Sequence, residues 1–326
     1  MRTLHAWARS AAILTIAAGA VVAHSTPALS APDPIDNGSR ASVVSAYQTW
    51  LAPTLDVPVG WTGSVADCRA GTTSDADRTA TLSAVNYMRA MADLAPVVLD
   101  PVLSAKSQAA ALIMTANEFL SHDPPKSATC WTVAGHEAAS NGNLSIGFGY
   151  DTGSGQDPLA ASTGPRAIVS YMTDPGPGNE IVGHRRWILF QQLKRIGSGD
   201  TSTANSLYVI DGYRAPAGTT WIPWPTAGFF PRELEPEGRW SVSYPGADFR
   251  KARVKVTTPD GPVSVRKAKV ANGYADNTLS WDMTLPPGYT ASTADYPVTV
   301  TVSGIRMPGG KKATRTWTTT LVRAAP

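Results

Sequence analysis

Val182-Gly-His-Arg-Arg-Trp187 is the stretch from which the fold of this 326-residue chain can be worked out. It follows a helical pattern that opens at Gly164-Pro165 and ends at Asp174-Pro175-Gly176. A strand-like run, Trp187-Ile-Leu-Phe190, begins at the last residue of the stretch 182–187. A second strand-like run, Leu207-Tyr-Val-Ile210, follows a glycine-rich turn. Helical and strand patterns therefore alternate here, which predicts a mixed fold.

Two more histidines precede this stretch, each beside a predicted helix. His122 lies just past a helix that begins at Asp100-Pro101, where Asp is a preferred cap and Pro suits the first turn. His136 and Glu137 are adjacent in Ala134-Gly-His-Glu-Ala-Ala139. Two imidazoles and two carboxylates at helix ends could meet at one concave site and supply metal ligands or an acid/base set. The candidates are His122, Glu137, Asp174 and His184.

Ordinary roles for these residues remain open. A lone histidine at a helix end is commonly a cap or a solvated residue, Glu137 could be a surface acid, and Asp174 could be a turn residue. The segment His136-Glu-Ala-Ala-Ser140 begins like H-E-x-x-H but lacks the second histidine, and the chain has no G-x-S-x-G, P-loop or C-x-x-C motif. These absences disfavour a zincin protease, an α/β-hydrolase and a P-loop enzyme.

Five motifs follow one another along the chain: Asn86-Tyr-Met-Arg89, Leu-Ser-His122, Gly-His-Glu137, Tyr171-Met-Thr-Asp174 and Gly-His184-Arg-Arg-Trp-Ile-Leu. Their order resembles the CAP superfamily, the cysteine-rich secretory and plant pathogenesis-related proteins and their bacterial relatives. The resemblance covers residues 77–212. It implies an α-β-α sandwich whose cleft holds two histidines and two acids that can bind zinc. His122 and His184 would be the metal ligands and Glu137 and Asp174 the acids, although Asp174 is one methylene shorter than the family's usual Glu.

Beyond Tyr213 the composition changes. Trp221-Ile-Pro-Trp-Pro225 forms a stiff aromatic linker, and helical patterns stop after it. Short alternating runs such as Val298-Thr-Val-Thr-Val302 are bounded by Gly, Pro or Asp, which is typical of strands. We therefore predict an α+β protein, with the CAP-like α-β-α sandwich followed by a small all-β immunoglobulin-like sandwich over 213–326.

The N-terminus has the features of a secretory signal peptide. Two arginines precede an apolar run over 11–23, which is too short to span a bilayer, and small residues follow it. We predict a Sec signal peptide over 1–31, cleaved near Ser30 or Ala31, and a secreted protein without a later transmembrane segment. Residues 32–76 are predicted to be a linker or extension.

The chain has two cysteines, Cys68 and Cys130. In an exported protein an even pair favours a disulfide. We therefore predict that the two are bonded to each other.

Charge is unevenly distributed along the chain. The formal net charge is +3. Removal of the signal peptide leaves 26 basic and 25 acidic residues. Residues 31–213 carry 11 basic and 17 acidic residues, whereas 214–326 carry 15 and 8. The predicted sandwich is therefore the basic half of the chain. The net charge of the whole chain is far below the clustered positive charge expected of a nucleic-acid binder.

These observations favour a secreted binding module over an enzyme. The predicted cleft would hold a divalent metal, zinc first, or a small apolar or lipid ligand, while the basic sandwich docks on anionic cell-wall polymers. The alternative is a metal-assisted hydrolase, a peptidase or esterase, in which Glu137 is the general base on a bound water. A third hypothesis is that the four residues have no activity and that the protein serves as a surface adhesin through its sandwich.

Overall fold

The computed structural model describes residues 32, 34–147, 162–215, 220–291 and 293–325. Each of its first four α-helices begins at a polar cap, which is Ser39, Ser74, Asp100 or Thr132. The predicted signal peptide, residues 1–31, lies outside these described residues. The helices of the described part are α1 (Arg40–Ala46), α2 (Asp75–Met91), α3 (Pro101–Asn117), α4 (Val133–Ser140), α5 (Gly164–Thr173), α6 (Gly183–Ile188) and α7 (Pro287–Ala291).

Polar caps explain where the long helices start, and Asp174 marks where α5 ends. Ser74 accepts a hydrogen bond from the backbone N–H of Asp77 at the start of α2. The Asp100 carboxylate accepts from two backbone N–H groups in the first turn of α3, and Pro101 occupies the first helical position. Asp174 ends α5 in the left-handed conformation, with φ 54°. Local signals therefore fix these boundaries.

Two helical layers cover the two faces of a four-stranded sheet of order β1-β3-β4-β2. On β4, Leu207 packs with α2 and α5, whereas its neighbour Tyr208 packs with α3 and α4. Because successive side chains of a strand point to opposite faces, the helices lie on both sides. This is the predicted α-β-α sandwich. Its strands are β1 (Val98–Leu99), β2 (Gly142–Ile146), β3 (Arg195–Asp200) and β4 (Ala204–Tyr208), with β1 and β3 parallel and the other pairs antiparallel.

The strand predicted over 187–190 is wrong, because residues 183–188 form α6. The reason lies in α2. The Arg89 guanidinium donates to the carbonyl oxygens of Ile188, at 2.7 Å, and Phe190, at 2.9 Å. It thereby satisfies the carbonyl group of Ile188, the last residue of α6, which has no partner within the helix. A pattern read from neighbouring residues cannot show this distant contact.

The C-terminal region is the predicted all-β sandwich. A four-stranded sheet of order β10-β11-β7-β5 faces a five-stranded sheet of order β6-β13-β12-β8-β9. Trp281 of the first and Trp317 of the second lie 6.3 Å apart between ring centroids. The strands are β5 (Ile222–Trp224), β6 (Gly228–Pro231), β7 (Arg239–Ser243), β8 (Arg253–Thr258), β9 (Gly261–Val263), β10 (Val265–Lys267), β11 (Thr278–Met283), β12 (Tyr296–Arg306) and β13 (Lys312–Val322).

One hydrophobic cluster joins the two regions, running from Tyr87 and Tyr171 in the helices to Trp240 in β7. Residues of the predicted N-terminal extension enter the same cluster, with Tyr47 and Leu51 buried. Within the described residues, no helix is both long and apolar enough to cross a membrane.

The predicted disulfide is confirmed. Cys68 and Cys130 are bonded, with 5.0 Å between their Cα atoms. The bond ties the segment before α2 to the segment before α4.

Candidate functional site

Asp174 and His184 form a hydrogen-bonded pair where α5 leads into α6. His184 Nδ1 lies 2.6 Å from Asp174 Oδ1. Asp174 is fully buried, whereas 20% of the His184 side chain is exposed. Because a carboxylate only accepts, the Nδ1–H donates, and a neutral imidazole keeps its lone pair on Nε2. The structure therefore brings two of the four predicted residues together and leaves one imidazole nitrogen for proton transfer.

Arg185 holds the same carboxylate from the other side. Its backbone N–H donates to Asp174 Oδ2 at 3.0 Å. Its buried guanidinium donates to the carbonyl oxygens of Met172 and Thr173, the last two residues of α5. Burial lowers the pKa of Arg185 to about 10, and the Asp174 charge opposes that shift. A buried anion and a buried cation therefore stabilise each other.

Glu137 lies in a different set of contacts. Its Oε1 accepts from Lys106 Nζ at 2.6 Å and from the Tyr208 hydroxyl at 3.0 Å. The hydrogen bond from Lys106 is the main cause that lowers the pKa of Glu137, and the one from Tyr208 adds to it. A carboxylate stabilised in its charged form is a weak base. The geometry therefore opposes Glu137 as a general base.

His122 binds the end of α4. Its Nδ1 lies 2.8 Å from the carbonyl oxygen of Ala139, in the last turn of that helix, and the Ser140 hydroxyl donates to the backbone oxygen of His122. This is the contact of a helix cap. His136 is paired instead with exposed Asp123, at 2.8 Å from Nε2 to Oδ1.

These contacts do not fit a zinc ion. Among the described residues, which include all four candidates, no three His, Cys, Asp or Glu side chains are grouped so as to hold a metal. A protein zinc site uses three or four such ligands. Asp174 is bound by His184 and Arg185, and Glu137 by Lys106. We therefore assign no chemistry to a metal here.

Sequence reasoning missed the residues that hold Glu137 and Asp174 in place. Lys106 lies on α3 and Tyr208 on β4, and neither is near Glu137 in the chain. Arg239, on β7, donates from Nη1 to the carbonyl oxygens of Asp174, at 2.5 Å, and Gly176, at 2.7 Å. An isolated basic or aromatic residue in a helix or strand carries no local signal of such a contact.

Two cavities are found among the described residues, one beside Asp174 and one beside His136. One, of about 550 Å³, lies between the helical region and the sandwich and is lined by Asp174, Gly176 and Arg239 among others. The other, of about 410 Å³, has Trp131 and Val133 in its wall. The small apolar ligand expected from the sequence stays a prediction.

One end of the sandwich carries exposed cations, which we call the basic end. The backbones of Asp248 and Arg306 are paired by two hydrogen bonds, and Arg306 faces Lys312 across β12 and β13. Lys267 Nζ reaches the carbonyl oxygen of Ala252, at 3.0 Å, so β10 joins the same end. The basic end consists of Lys251, Arg253, Lys267, Arg306, Lys311 and Lys312, all exposed.

These cations lack acidic partners within the described parts of the chain, where none of the six forms an ion pair. The nearby carboxylate of Asp248 is paired with Arg250, at 2.8 Å. Asp248 also lies close enough to Arg306 for that cation to help lower its pKa, but the remaining positive charge of this end is not offset by an ion pair among the described residues.

Comparison with protein families gives one match, over residues 82–213, to the family described as CAP, the cysteine-rich secretory protein family. Comparisons with curated proteins and with solved structures gave no match. The resemblance predicted over 77–212 is thus confirmed over residues 82–212, and by this similarity we refer to residues 82–213 as the CAP domain.

Proposed function

We propose that this chain, whose residues 82–213 form the CAP domain, is an exported binding protein that attaches through its basic end to an anionic polymer of the cell surface. The observation that supports the proposal is the group of six exposed cations that form no ion pair with any acid the structure describes. The CAP domain would then be held at the surface with the His184–Asp174 pair available.

The charge distribution also favours one orientation. Residues 31–213 carry more acidic than basic side chains, so a polyanion repels that half and attracts the sandwich. The cations of the basic end act together to raise the electrostatic potential there. Attraction of this kind is screened by salt, since the Debye length falls from about 10 Å at 0.1 M to about 3 Å at 1 M.

Retention of the full chain on a polyphosphate resin tests this proposal. A double variant, Lys311→Glu with Lys312→Glu, places two acids at the tip of the basic end, and we expect it to elute at clearly lower salt. The control, Lys126→Glu with Lys194→Glu, makes the same change in net charge at exposed positions outside the basic end. If both variants elute alike, the basic end is not the docking surface.

A second candidate function, hydrolysis, is favoured by the His184–Asp174 pair. The carboxylate orients the imidazole, so that Nε2 of His184 can take a proton from water or from a nucleophile. In this candidate the base is His184 and not Glu137, because Glu137 is bound by Lys106. Turnover on peptide and ester panels should be lost in His184→Gln and kept in Glu137→Gln. Absence of turnover by the unmodified chain on both panels removes this candidate.

A further inference from the structure

The loop between α5 and α6, residues 174–182, is held by the sandwich. Arg239 Nη1 donates to the carbonyl oxygens of Asp174 and Gly176. Farther along the loop, the Ser280 hydroxyl donates to the carbonyl oxygen of Glu180 at 2.5 Å. Both donors belong to one sheet of the sandwich, on β7 and β11. The loop that carries Asp174 is thus fixed by residues outside the CAP domain.

Arg239 is itself fixed in place. Its Nε and Nη2 lie 2.7 and 3.3 Å from the two carboxylate oxygens of Asp282, which is its partner across β7 and β11. Only 13% of its side chain is exposed. A guanidinium held at two points on a paired strand loses little freedom when its remaining N–H groups bind the loop.

Asp174 needs such support because of its backbone. Its φ of 54° is in the left-handed region, which a residue other than glycine adopts at a cost. The cavity of about 550 Å³ borders Asp174, Gly176 and Arg239. Water can therefore reach the two carbonyl groups when Arg239 is replaced, so that the loop can move without unfolding of the whole chain.

We infer that Arg239 is a positioning residue for the His184–Asp174 pair, and that the sandwich is therefore a structural part of the site in the CAP domain. Arg239 holds the Asp174 backbone, and the Asp174 carboxylate then orients His184 and accepts from the Arg185 N–H. Ser241, next but one to Arg239 on β7, supports this arrangement by accepting from the Arg185 guanidinium at 3.0 Å. The inference does not depend on polymer binding.

The test uses the full chain with Arg239→Met. Two signals report on the pair: amide exchange of the Arg185 N–H, and the low-field resonance of His184 Nδ1–H, which is visible while the carboxylate protects it. We expect Arg185 exchange to become at least about tenfold faster, as for loss of a hydrogen bond to a charged group, and the His184 resonance to be lost. Arg239→Lys, which can still donate to a carbonyl, should retain part of both signals.

Arg250→Met is the matched control. It removes the same side chain from the same sandwich, but at a site where the guanidinium binds Asp248 and not the loop. Both signals should be unchanged. If Arg239→Met does not fold, Asp282→Asn releases the guanidinium more gently and should give a smaller change of the same kind. A folded Arg239 or Asp282 variant with unchanged exchange and an unchanged His184 resonance contradicts the inference, whatever the result on the polyphosphate resin.

Discussion

Gly199 on β3 packs closely against the backbone of α3. A Cβ atom at this position would lie 2.1 Å from the backbone nitrogen of Gln108 and 2.4 Å from the carbonyl carbon of Ser107. Favourable contacts between carbon atoms are about 3.5 to 4.0 Å. The substitution Gly199→Ala therefore forces α3 away from the sheet by about 1 Å or more.

The cost follows from what this movement breaks. Overpacking of a close contact costs about 1 to 3 kcal/mol. The Gln108 side chain also exchanges two hydrogen bonds with the backbone of Asp200, at 2.6 and 3.2 Å, each contributing about 1 kcal/mol. We expect Gly199→Ala to lower the free energy of unfolding by about 3 to 5 kcal/mol, a large part of the about 5 to 15 kcal/mol typical of a native protein.

Urea denaturation of the full chain measures this free energy. Gly178→Ala is the control, because a Cβ at Gly178 meets nothing within 4 Å, and its effect should stay within about 0.5 kcal/mol. If Gly199→Ala behaves like the control, the close packing of α3 on β3 is not as described. Because α3 also carries Lys106, the same variant should loosen the Glu137 contact.

Three further predictions concern the disulfide and two carboxylates. Replacing Cys68 and Cys130 by Ala opens a loop with a sequence separation of 62, and should lower the free energy of unfolding by about 4 kcal/mol in urea denaturation; an equal stability would contradict this. Burial raises the pKa of Asp77 from 3.8 to about 8. The folded state therefore holds this proton more tightly than the unfolded state, and stability should fall as the pH rises between these two values. Asp77→Asn should flatten the profile of melting temperature against pH in that range, and an unchanged slope would count against it. In Lys106→Met the pKa of Glu137 should rise towards its ordinary value of 4.5, as followed by the carboxyl ¹³C shift, and no rise would show that Lys106 does not hold the carboxylate.

Much of the fold follows from local rules. Ser74 and Asp100 fix helix starts because each side chain caps its own first turn. The alternation in Val298–Val302 predicts strand β12 because one face of that strand is buried. The failure at residues 187–190 has the opposite cause, since α6 depends on a guanidinium from α2.

The contacts of the candidate site were harder to predict from the sequence than the fold. The family motifs placed Asp174 and His184 together, and the structure has them in contact. They did not show that His122 binds a helix end or that Glu137 binds Lys106, because these partners come from other elements. The role of Arg239 depends on the packing of two regions, which no pattern within either one records.

The measurement that tests the central proposal most directly is the salt dependence of polyphosphate binding by the full chain, with and without Lys311→Glu and Lys312→Glu. We expect the affinity of the unmodified chain to fall by more than about tenfold between 0.1 and 1 M salt, as the Debye length shortens, and the affinity of the double variant to be weak and nearly independent of salt. Binding that is tight at high salt, or that survives the charge reversal with the same salt dependence, would contradict docking through the basic end.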